Sequence, residues 1–585
     1  MSAILGVSGL AESVRFKRAH FPGLDEREYR ILQGFDAAAA LVVDGEVVAA
    51  AAEERFNRNK QTGDFPVQAI GYCLKQAGLS LSDVDEIAHC FDYAPFGEIF
   101  SLDATSAKLY EEVFSKQALL EQINDHCPQF PAERVHQVGH HLSHAASAYF
   151  TSGWDNCLVV VLDAMGETQS GSIFRGSGGQ LEKLREISAN DSIGILYSLV
   201  TYHLGFDFNS DEYKIMGLAP YGDPKQFEGV FQQMLECRAD GTVRIPILRL
   251  NRTRDERENY LKTREWLSHN LIPARDPGDD ITQVHRDVAA ALQAALNRAI
   301  LHICGHFGAS TGMRRIAMAG GVALNCSANG KLTRSGLFDE VYVQPAAGDD
   351  GAALGAALHR ASLGDEVLNK RFPVPFLGPS HPSSETAASL QDFAGTINVT
   401  QFDNLEQTCE RAAKMISEGK VIAWHRGRME YGPRALGNRS ILADASNPEM
   451  RDRVNAMVKK REAFRPFAPA VSIEQVHRWF DVAPMTSLPY MIATVNVCEE
   501  YRATLPAITH VDGSARVQTV AAADNPAFHT LLKAVGRETG REIVLNTSFN
   551  VKGQPIVNTP REAVETFLST GIDCLFIEDN LVVRA

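Results

Sequence analysis

The chain has ten cysteines but no Cys-x-x-Cys pair, which removes zinc ribbons and leaves no disulfide framework to read. Reduced thiols in a cytoplasm are the simpler expectation. A basic excess is also missing: 57 Lys and Arg stand against 72 Asp and Glu, for a formal net charge of -15. A general nucleic-acid binder needs a basic face, so no nucleic-acid partner is expected, although a local basic pocket for a nucleotide stays open. No uninterrupted apolar run is long enough to span a bilayer, and Met1-Ser2-Ala3-Ile4-Leu5-Gly6-Val7 lacks a basic n-region and a cleavage pattern. Neither a membrane nor export is expected. Low-complexity tracts and heptad runs are absent as well.

What is present is an ordinary globular composition, 45% hydrophobic and 22% charged, over 585 residues. That length exceeds the usual growth limit of one core and implies at least two domains. Val- and Ala-rich runs predict strands at Ala3–Val7, Ala37–Val43 and Glu46–Ala52, with an Asp44-Gly45 hairpin turn between the last two. Val67–Ala77 has helical spacing and Ile87–His89 reads as a return strand. A similar order begins again with strands at Cys157–Ala164 and Ser170–Phe174 and a helix over Ser192–Leu204. Helices at Val284–Phe307, Asn325–Arg334 and Asp350–Arg360 then alternate with strands at Arg315–Ala319 and Val341–Val343. Two such halves suggest a duplicated α/β domain with a cleft between them. The proline-rich stretch Phe372–Glu385 reads as a linker. A smaller α/β or α+β domain follows, with helices at Leu405–Ser417, Pro526–Gly536 and Arg561–Leu568 and strands at Val421–Trp424, Glu542–Leu545 and Cys574–Ile577.

Cations concentrate in two places despite the acidic balance. Tyr431-Gly432-Pro433-Arg434-Ala435-Leu436-Gly437-Asn438-Arg439-Ser440 sets guanidinium groups among glycines and a proline, and Lys459-Lys460-Arg461-Glu462-Ala463-Phe464-Arg465-Pro466-Phe467 follows. Fixed guanidinium groups suit bidentate binding of phosphate oxygens; surface salt-bridge turns are the alternative. Arg516 adds a cation, and Asn546-Thr547-Ser548-Phe549-Asn550 supplies neutral donors.

The strongest N-terminal signal is Gly139-His140-His141-Leu142-Ser143-His144. His140 and His144 are four apart, so on a helix both imidazoles leave one face at chelating distance. Asp163, at a strand end, and Asp349, in a turn that opens a helix, are acidic candidates to complete the sphere, and either could instead be a turn former or N-cap. Two His with carboxylates and an open position suit Fe(II), Mn(II) or Zn(II) alike. The Gly320-Gly321 turn before Asn325 could bring backbone N–H groups to a phosphate, and Lys214 precedes a glycine-punctuated turn consistent with nucleotide contact or with an ordinary loop. Closely spaced histidines also raise a metallopeptidase, but the Glu of His-Glu-x-x-His is missing. An ATP-binding regulator would leave the arginine clusters without a role.

These motifs, in this order and together with Glu53-Glu54-Arg55-Phe56, Met216–Gly222, Val322–Asn325 and Gly348–Gly351, resemble the O-carbamoyltransferases that modify nodulation factors, cephamycins, aminoglycosides and ansamycins. The resemblance implies a duplicated actin/sugar-kinase/heat-shock-ATPase-like domain over 1–370, followed by a smaller threonylcarbamoyl-adenylate-synthase-like α/β domain over 386–585. It implies carbamoyl-adenylate formation from carbamoyl phosphate and Mg²⁺-ATP in the second domain, then carbamoyl transfer to a hydroxyl of a natural-product acceptor in the first. Carried over by motif, His140, His144, Asp163 and Asp349 hold a metal, usually Fe(II). By the same carry-over Arg434, Lys459, Arg465 and Ser548 grip carbamoyl phosphate and Arg516 lies near the nucleotide phosphates. On residue chemistry alone, Asn550 is a further donor there and Lys214, Gly320, Gly321 and Asn325 are nucleotide candidates. The choices of Asp349 over Asp350 and Lys459 over Lys460 rest on motif alignment. The chain departs from the family at Phe35-Asp36, where relatives commonly carry His-Asp. One candidate for the missing base is His20, expected in a looping insertion from Leu10 to Gln33; proton removal by the metal or substrate phosphate is the alternative. A homodimer is compatible with this reading.

Overall fold

The structure, a computed structural model, describes residues 2–364, 368, 375–459, 462 and 464–585. The expected boundary at 370, the first residues of the linker, Lys460, Arg461, Ala463 and the Lys459 side chain lie outside the described residues. The chain divides into two compact units, one within 1–54 and 61–373 and the other within 55–60 and 374–585.

The first unit is built on one strand plan used twice. Strands β1 (Ala3–Ser8), β2 (Ala38–Val43), β3 (Glu46–Ala52), β4 (Glu86–His89) and β5 (Val135–Gln137) form a sheet in the order β3-β2-β1-β4-β5. The first three pair antiparallel, and β4 and β5 add in parallel. The second sheet holds β6 (Asn156–Gly166), β7 (Gln169–Ser177) and β8 (Gln180–Ser188). After a small ribbon of β9 (Glu236–Cys237) and β10 (Val243–Arg244), it is completed by β11 (Arg315–Ala319) and β12 (Glu340–Val343). Its order, β8-β7-β6-β11-β12, and its polarities repeat the first. The first unit is therefore the duplicated α/β domain that the sequence predicts. Cys157–Leu162 of β6 are wholly buried, as expected of a strand covered on both faces.

The helix after each sheet's last strand crosses to the other sheet. His140–Thr151, which follows β5, packs on β6, β7 and β11, whereas Asp349–Ala361, which follows β12, packs on β1, β2 and β4. The two helices also pack on each other. Close approach requires glycine: a Cβ on Gly355 would stand 1.7 Å from Ser143 O between the two helices, and one on Gly6 of β1 would stand 1.9 Å from Ala353 O of the helix packed on that strand. The long helix Gln283–Thr311 is apolar enough to cross a membrane by composition, but 72% of its most apolar window is buried inside the fold.

Two expectations need correction, and one strand was not expected. Leu10–Gln33 is not a continuous loop, because Ser13–His20 forms a helix anchored by buried Phe16 and Lys17. Strand β8 had no recognisable pattern because its charged residues stay exposed and only Ile187 is buried. The linker reading extends too far, since Ser383–Gln391 is helical.

The second unit has an eight-stranded mixed sheet. Its strands are β13 (Ile397–Gln401), β14 (Ile422–His425), β15 (Arg439–Ala443), β16 (Ala468–Ser472), β19 (Gln518–Val520), β20 (Ile543–Ser548), β21 (Cys574–Ile577) and β22 (Asn580–Arg584), in the order β13-β22-β21-β14-β15-β20-β16-β19. A separate ribbon joins β17 (Thr494–Asn496) to β18 (Ser514–Arg516). One face of the sheet packs Trp424, Leu442 and Val544 against the helices Leu405–Ser417 and Pro526–Thr539. The other buries Ile441, Trp479, Phe480 and Phe549 with residues of the helix Pro560–Leu568.

Candidate active site

In the first unit, His140 opens the helix His140–Thr151 and His144 stands one turn later. Asp163 lies near the end of β6, and Asp349 begins the helix Asp349–Ala361. His140 and Asp349 thus occupy corresponding helix starts in the two halves of the repeat. One ligand atom from each of His140, His144, Asp163 and Asp349 lies within 4.8 Å of the others. The two histidine Nε2 atoms are 3.0 Å apart. His140 Nε2 is 3.3 Å from Asp163 Oδ2 and 3.4 Å from Asp349 Oδ1, which is itself 3.5 Å from His144 Nε2.

Local contacts set the orientation of the first imidazole. His140 Nδ1 faces Cys90 O at 3.2 Å, and a carbonyl can only accept, so Nδ1 carries a proton and Nε2 is the nitrogen turned to the cluster. Phe91 stacks on the ring at 4.2 Å between centroids. Gly166 leaves room for it, since a Cβ there would meet His140 Cδ2 at 2.2 Å. Asp163 is fixed through its other oxygen, which accepts the Gly321 N–H at 3.0 Å.

The electrostatics call for a positive charge at the centre. Burial works to lower the His140 pKa, but the Asp349 charge and hydrogen bonds to Asp163 and Asp349 outweigh it and raise the pKa well above the usual range. Asp163 is held well below the ordinary carboxylate range, burial being overcome by the His140 bond and the His144 charge. Two imidazole nitrogens and two carboxylates converging on one point fit a divalent transition metal in place of the His140 Nε2 proton.

Other expected residues are placed differently. His20 ends a helix, with Nδ1 3.0 Å from Phe16 O and its ring stacked on Phe16. Lys214 lies inside the helix Glu212–Leu218, which the 3₁₀ turn Ala219–Tyr221 follows, and pairs with Asp211 at 2.7 Å. Gly320 takes a positive φ of 88° before a short 3₁₀ helix, and the Gly321 N–H serves Asp163. Asn325 caps the helix Cys326–Arg334 through Ala328 N–H at 3.0 Å and exchanges two 3.0 Å amide bonds with Gln293.

In the second unit, the Arg434 loop is held from beneath. Glu430 Oε1 accepts the N–H groups of Leu436, Asn438 and Arg439 at 2.8, 2.8 and 3.1 Å. Gln518 Nε2 donates to Leu436 O at 2.7 Å, and Asn546 Nδ2 donates to Gln518 Oε1 at 2.9 Å. This network joins the Arg434 loop to β19, which follows Arg516, and to β20, which ends at Ser548. Ser440, which follows the loop, pairs in register with Ser548. Ser548 Oγ donates to Asn550 Oδ1 at 2.7 Å, and Asn550 Nδ2 donates to Gln554 O at 2.6 Å. Arg465 stands 3.6 Å from Glu462 Oε2. Arg439 is a structural cation: fully buried, it donates to the carbonyls of Arg426, Gly427, Asn438 and Pro379. Sequence reasoning gave no role to Glu430, Gln518, Cys90 or Phe91. Asn546 was visible only as part of a polar run.

Comparison with known proteins agrees across both units. Residues 32–95 and 94–358 match the family model of the carbamoyltransferase N-terminus, and residues 413–584 match that of the carbamoyltransferase C-terminus. The chain is 40% identical over 557 residues to nodulation protein NolNO of Sinorhizobium fredii, covering 94% of this chain and 79% of that protein. It is 34% identical over 248 residues to the 3'-hydroxymethylcephem-O-carbamoyltransferase of Streptomyces clavuligerus, covering 42% and 44%. Among solved structures, component A of the (R)-2-hydroxyglutaryl-CoA dehydratase of Acidaminococcus fermentans aligns over 62% of this chain and 100% of its own, with 14% identity and a TM-score of 0.31. With both its N-terminal and C-terminal regions matched, the chain belongs to the carbamoyltransferase family, and it is a transferase.

Proposed function

We propose that this protein is an ATP-dependent O-carbamoyltransferase working in two half-reactions. In the second unit water cleaves carbamoyl phosphate to carbamate and inorganic phosphate, and the carbamate oxygen then attacks the α-phosphorus of Mg²⁺-ATP, giving carbamoyl-adenylate and releasing pyrophosphate. The first unit transfers the carbamoyl group to a hydroxyl of a small natural product, with AMP leaving and the hydroxyl proton released. The observation that carries the reading is the convergence of His140, His144, Asp163 and Asp349 within the family's N-terminal region. His140 Nε2, His144 Nε2 and one carboxylate oxygen from each aspartate would hold a divalent metal, with Fe(II) as the proposed ion. When bound, such an ion supplies Lewis acidity toward a phosphoryl or carbonyl oxygen.

Arg434, Arg465, Lys459 and Ser548 are proposed to bind the carbamoyl phosphate dianion, with Arg516 toward the nucleotide phosphates. Fixed guanidinium groups favour charge that develops at a phosphoryl centre because they need no reorganisation. The anchoring of the Arg434 loop by Glu430, Gln518 and Asn546 supports that preorganisation. The hydroxymethyl group in the name of the cephem relative supports an alcohol acceptor. Ten free cysteines are consistent with a reducing cytoplasm.

The half-reactions should separate. Arg434→Ala is expected to abolish pyrophosphate release that depends on carbamoyl phosphate, and supplied carbamoyl-adenylate should restore product. His144→Ala should keep pyrophosphate release, lose the metal by elemental analysis and stop transfer. Normal adenylation by Arg434→Ala would refute the assignment in the second unit. Full metal occupancy in His144→Ala would refute the ligand set.

A further inference from the structure

We infer that Glu167 is a positioning residue for His140, locking its imidazole by tying two separate backbone segments to one carboxylate oxygen. The inference rests on the proposed metal role of the His140 cluster. The helix His140–Thr151 begins after Gly139, which has no side chain to cap it. Glu167 supplies the missing acceptor from the β6–β7 hairpin: its Oε1 accepts the His140 N–H at 2.9 Å. The same oxygen accepts the Asp92 N–H, also at 2.9 Å.

The second bond matters because the segment ending at Asp92 grips the His140 ring. Cys90 O accepts a hydrogen bond from Nδ1–H at 3.2 Å, and Phe91 stacks on the imidazole with planes 12° apart. One oxygen therefore fixes both the backbone that carries the ring and the backbone that orients it. The Glu167 carbonyl is itself held by Gln33 Nε2 at 3.3 Å, and Gln33 Oε1 accepts from Tyr93 O–H at 2.8 Å. The arrangement includes a residue from the 10–33 insertion.

The turn alone would favour a different residue. Gly166 and Gln169 pair across a two-residue turn, and Glu167 sits at its first central position with φ 52°, in the left-handed region that suits glycine. The residue is also buried, with 6% exposure. A strained backbone and a buried carboxylate at one position are expected where the side chain has a task the fold itself does not need.

The test is Co²⁺ affinity by equilibrium dialysis on the chelator-stripped full-length chain, with thermal melting alongside. Glu167→Gly relieves the positive φ, so it should melt no lower than Glu167→Ala, yet both should bind Co²⁺ about 10- to 100-fold more weakly than wild type. Glu167→Gln keeps an acceptor oxygen and should stay within about threefold of wild type. His144→Ala is the control that should lose Co²⁺ outright. Wild-type affinity in Glu167→Gly, with binding lost in His144→Ala, would overturn the inference and leave the metal reading standing. Equal losses in Glu167→Gln and Glu167→Gly would also overturn it. Wild-type affinity in His144→Ala would overturn the metal reading itself.

Discussion

Lys17, with 3% exposure, donates from Nζ to three carbonyls: Glu28 O at 3.0 Å, Ile31 O at 2.7 Å and Glu258 O at 2.7 Å. Burial lowers its pKa from 10.5 to about 8, against the pull of Glu258 and Glu28. Between pH 8 and 10.5 the unfolded chain keeps the proton and the folded chain releases it, so this residue makes stability rise with pH across that window. The full effect is a few kcal/mol, because each tenfold change in proton affinity is worth about 1.4 kcal/mol. Lys17→Met should remove that rise. It should also destabilise at neutral pH, because orphaning three carbonyls costs about 1–3 kcal/mol each and outweighs the relief of the buried charge. Urea midpoints of both proteins at pH 7 and pH 10 check this: the gap should widen at the higher pH, and an unchanged gap would contradict it. Arg439 is a similar case among the sites. It neighbours the Arg434 loop in sequence, yet its bonds run to four backbone carbonyls.

At the scale of elements, the two crossing helices bring the cluster together. Gly355→Ala would place a Cβ 1.7 Å from Ser143 O, a backbone atom of the histidine helix that can move only with the helix. The expected loss is about 1–3 kcal/mol of stability or more. Co²⁺ affinity should fall with it, since His140, His144 and Asp349 ride on the separated helices. Gly364→Ala, whose Cβ would meet Ala361 O at an ordinary 3.5 Å, is the matched control and should leave both unchanged. The histidine pair was legible because i, i+4 spacing survives in sequence, and Asp163 and Asp349 stood out as candidates because one lies toward a strand end and the other where a turn opens a helix. What sequence could not show is contact across distance. The bond from His140 to Cys90 spans 50 residues, and the bond from Asp163 to Gly321 spans 158. The crossing of the helices is invisible in either half alone, because each helix is specified by a sheet that it does not follow.

At the scale of the whole molecule, the chain does not complete one unit before starting the other. It leaves the first unit after 54 and returns at 61, and the hexapeptide between belongs to the second unit. The motif Glu53-Glu54-Arg55-Phe56 is therefore divided in role. Glu53 accepts the Gln68 and Ala69 N–H groups at 3.2 and 2.8 Å at the start of the helix Val67–Ala77. Glu54 accepts Gln61 N–H at 2.8 Å, where the chain re-enters.

Two cations of the hexapeptide serve the second unit. Arg55 Nη2 donates to Gly432 O at 3.0 Å, two residues before Arg434. Arg58 donates to Ile556 O at 2.8 Å and Pro555 O at 3.0 Å, and it stands 3.2 Å from Glu562. Arg55→Ala should loosen the backbone beneath the arginine loop without removing any proposed ligand. Its expected signature is a raised KM for carbamoyl phosphate in the pyrophosphate-release assay, with unchanged Co²⁺ affinity in the first unit. Arg55→Ala/Arg58→Ala should also cost the second unit about 1–3 kcal/mol, a drop of several degrees in its own calorimetric transition. Two units of this size need not unfold as one, so the transition of the first unit should stay in place. An equal shift of both transitions, or a KM equal to wild type in Arg55→Ala, would show that the hexapeptide only links the units and does not buttress the arginine loop.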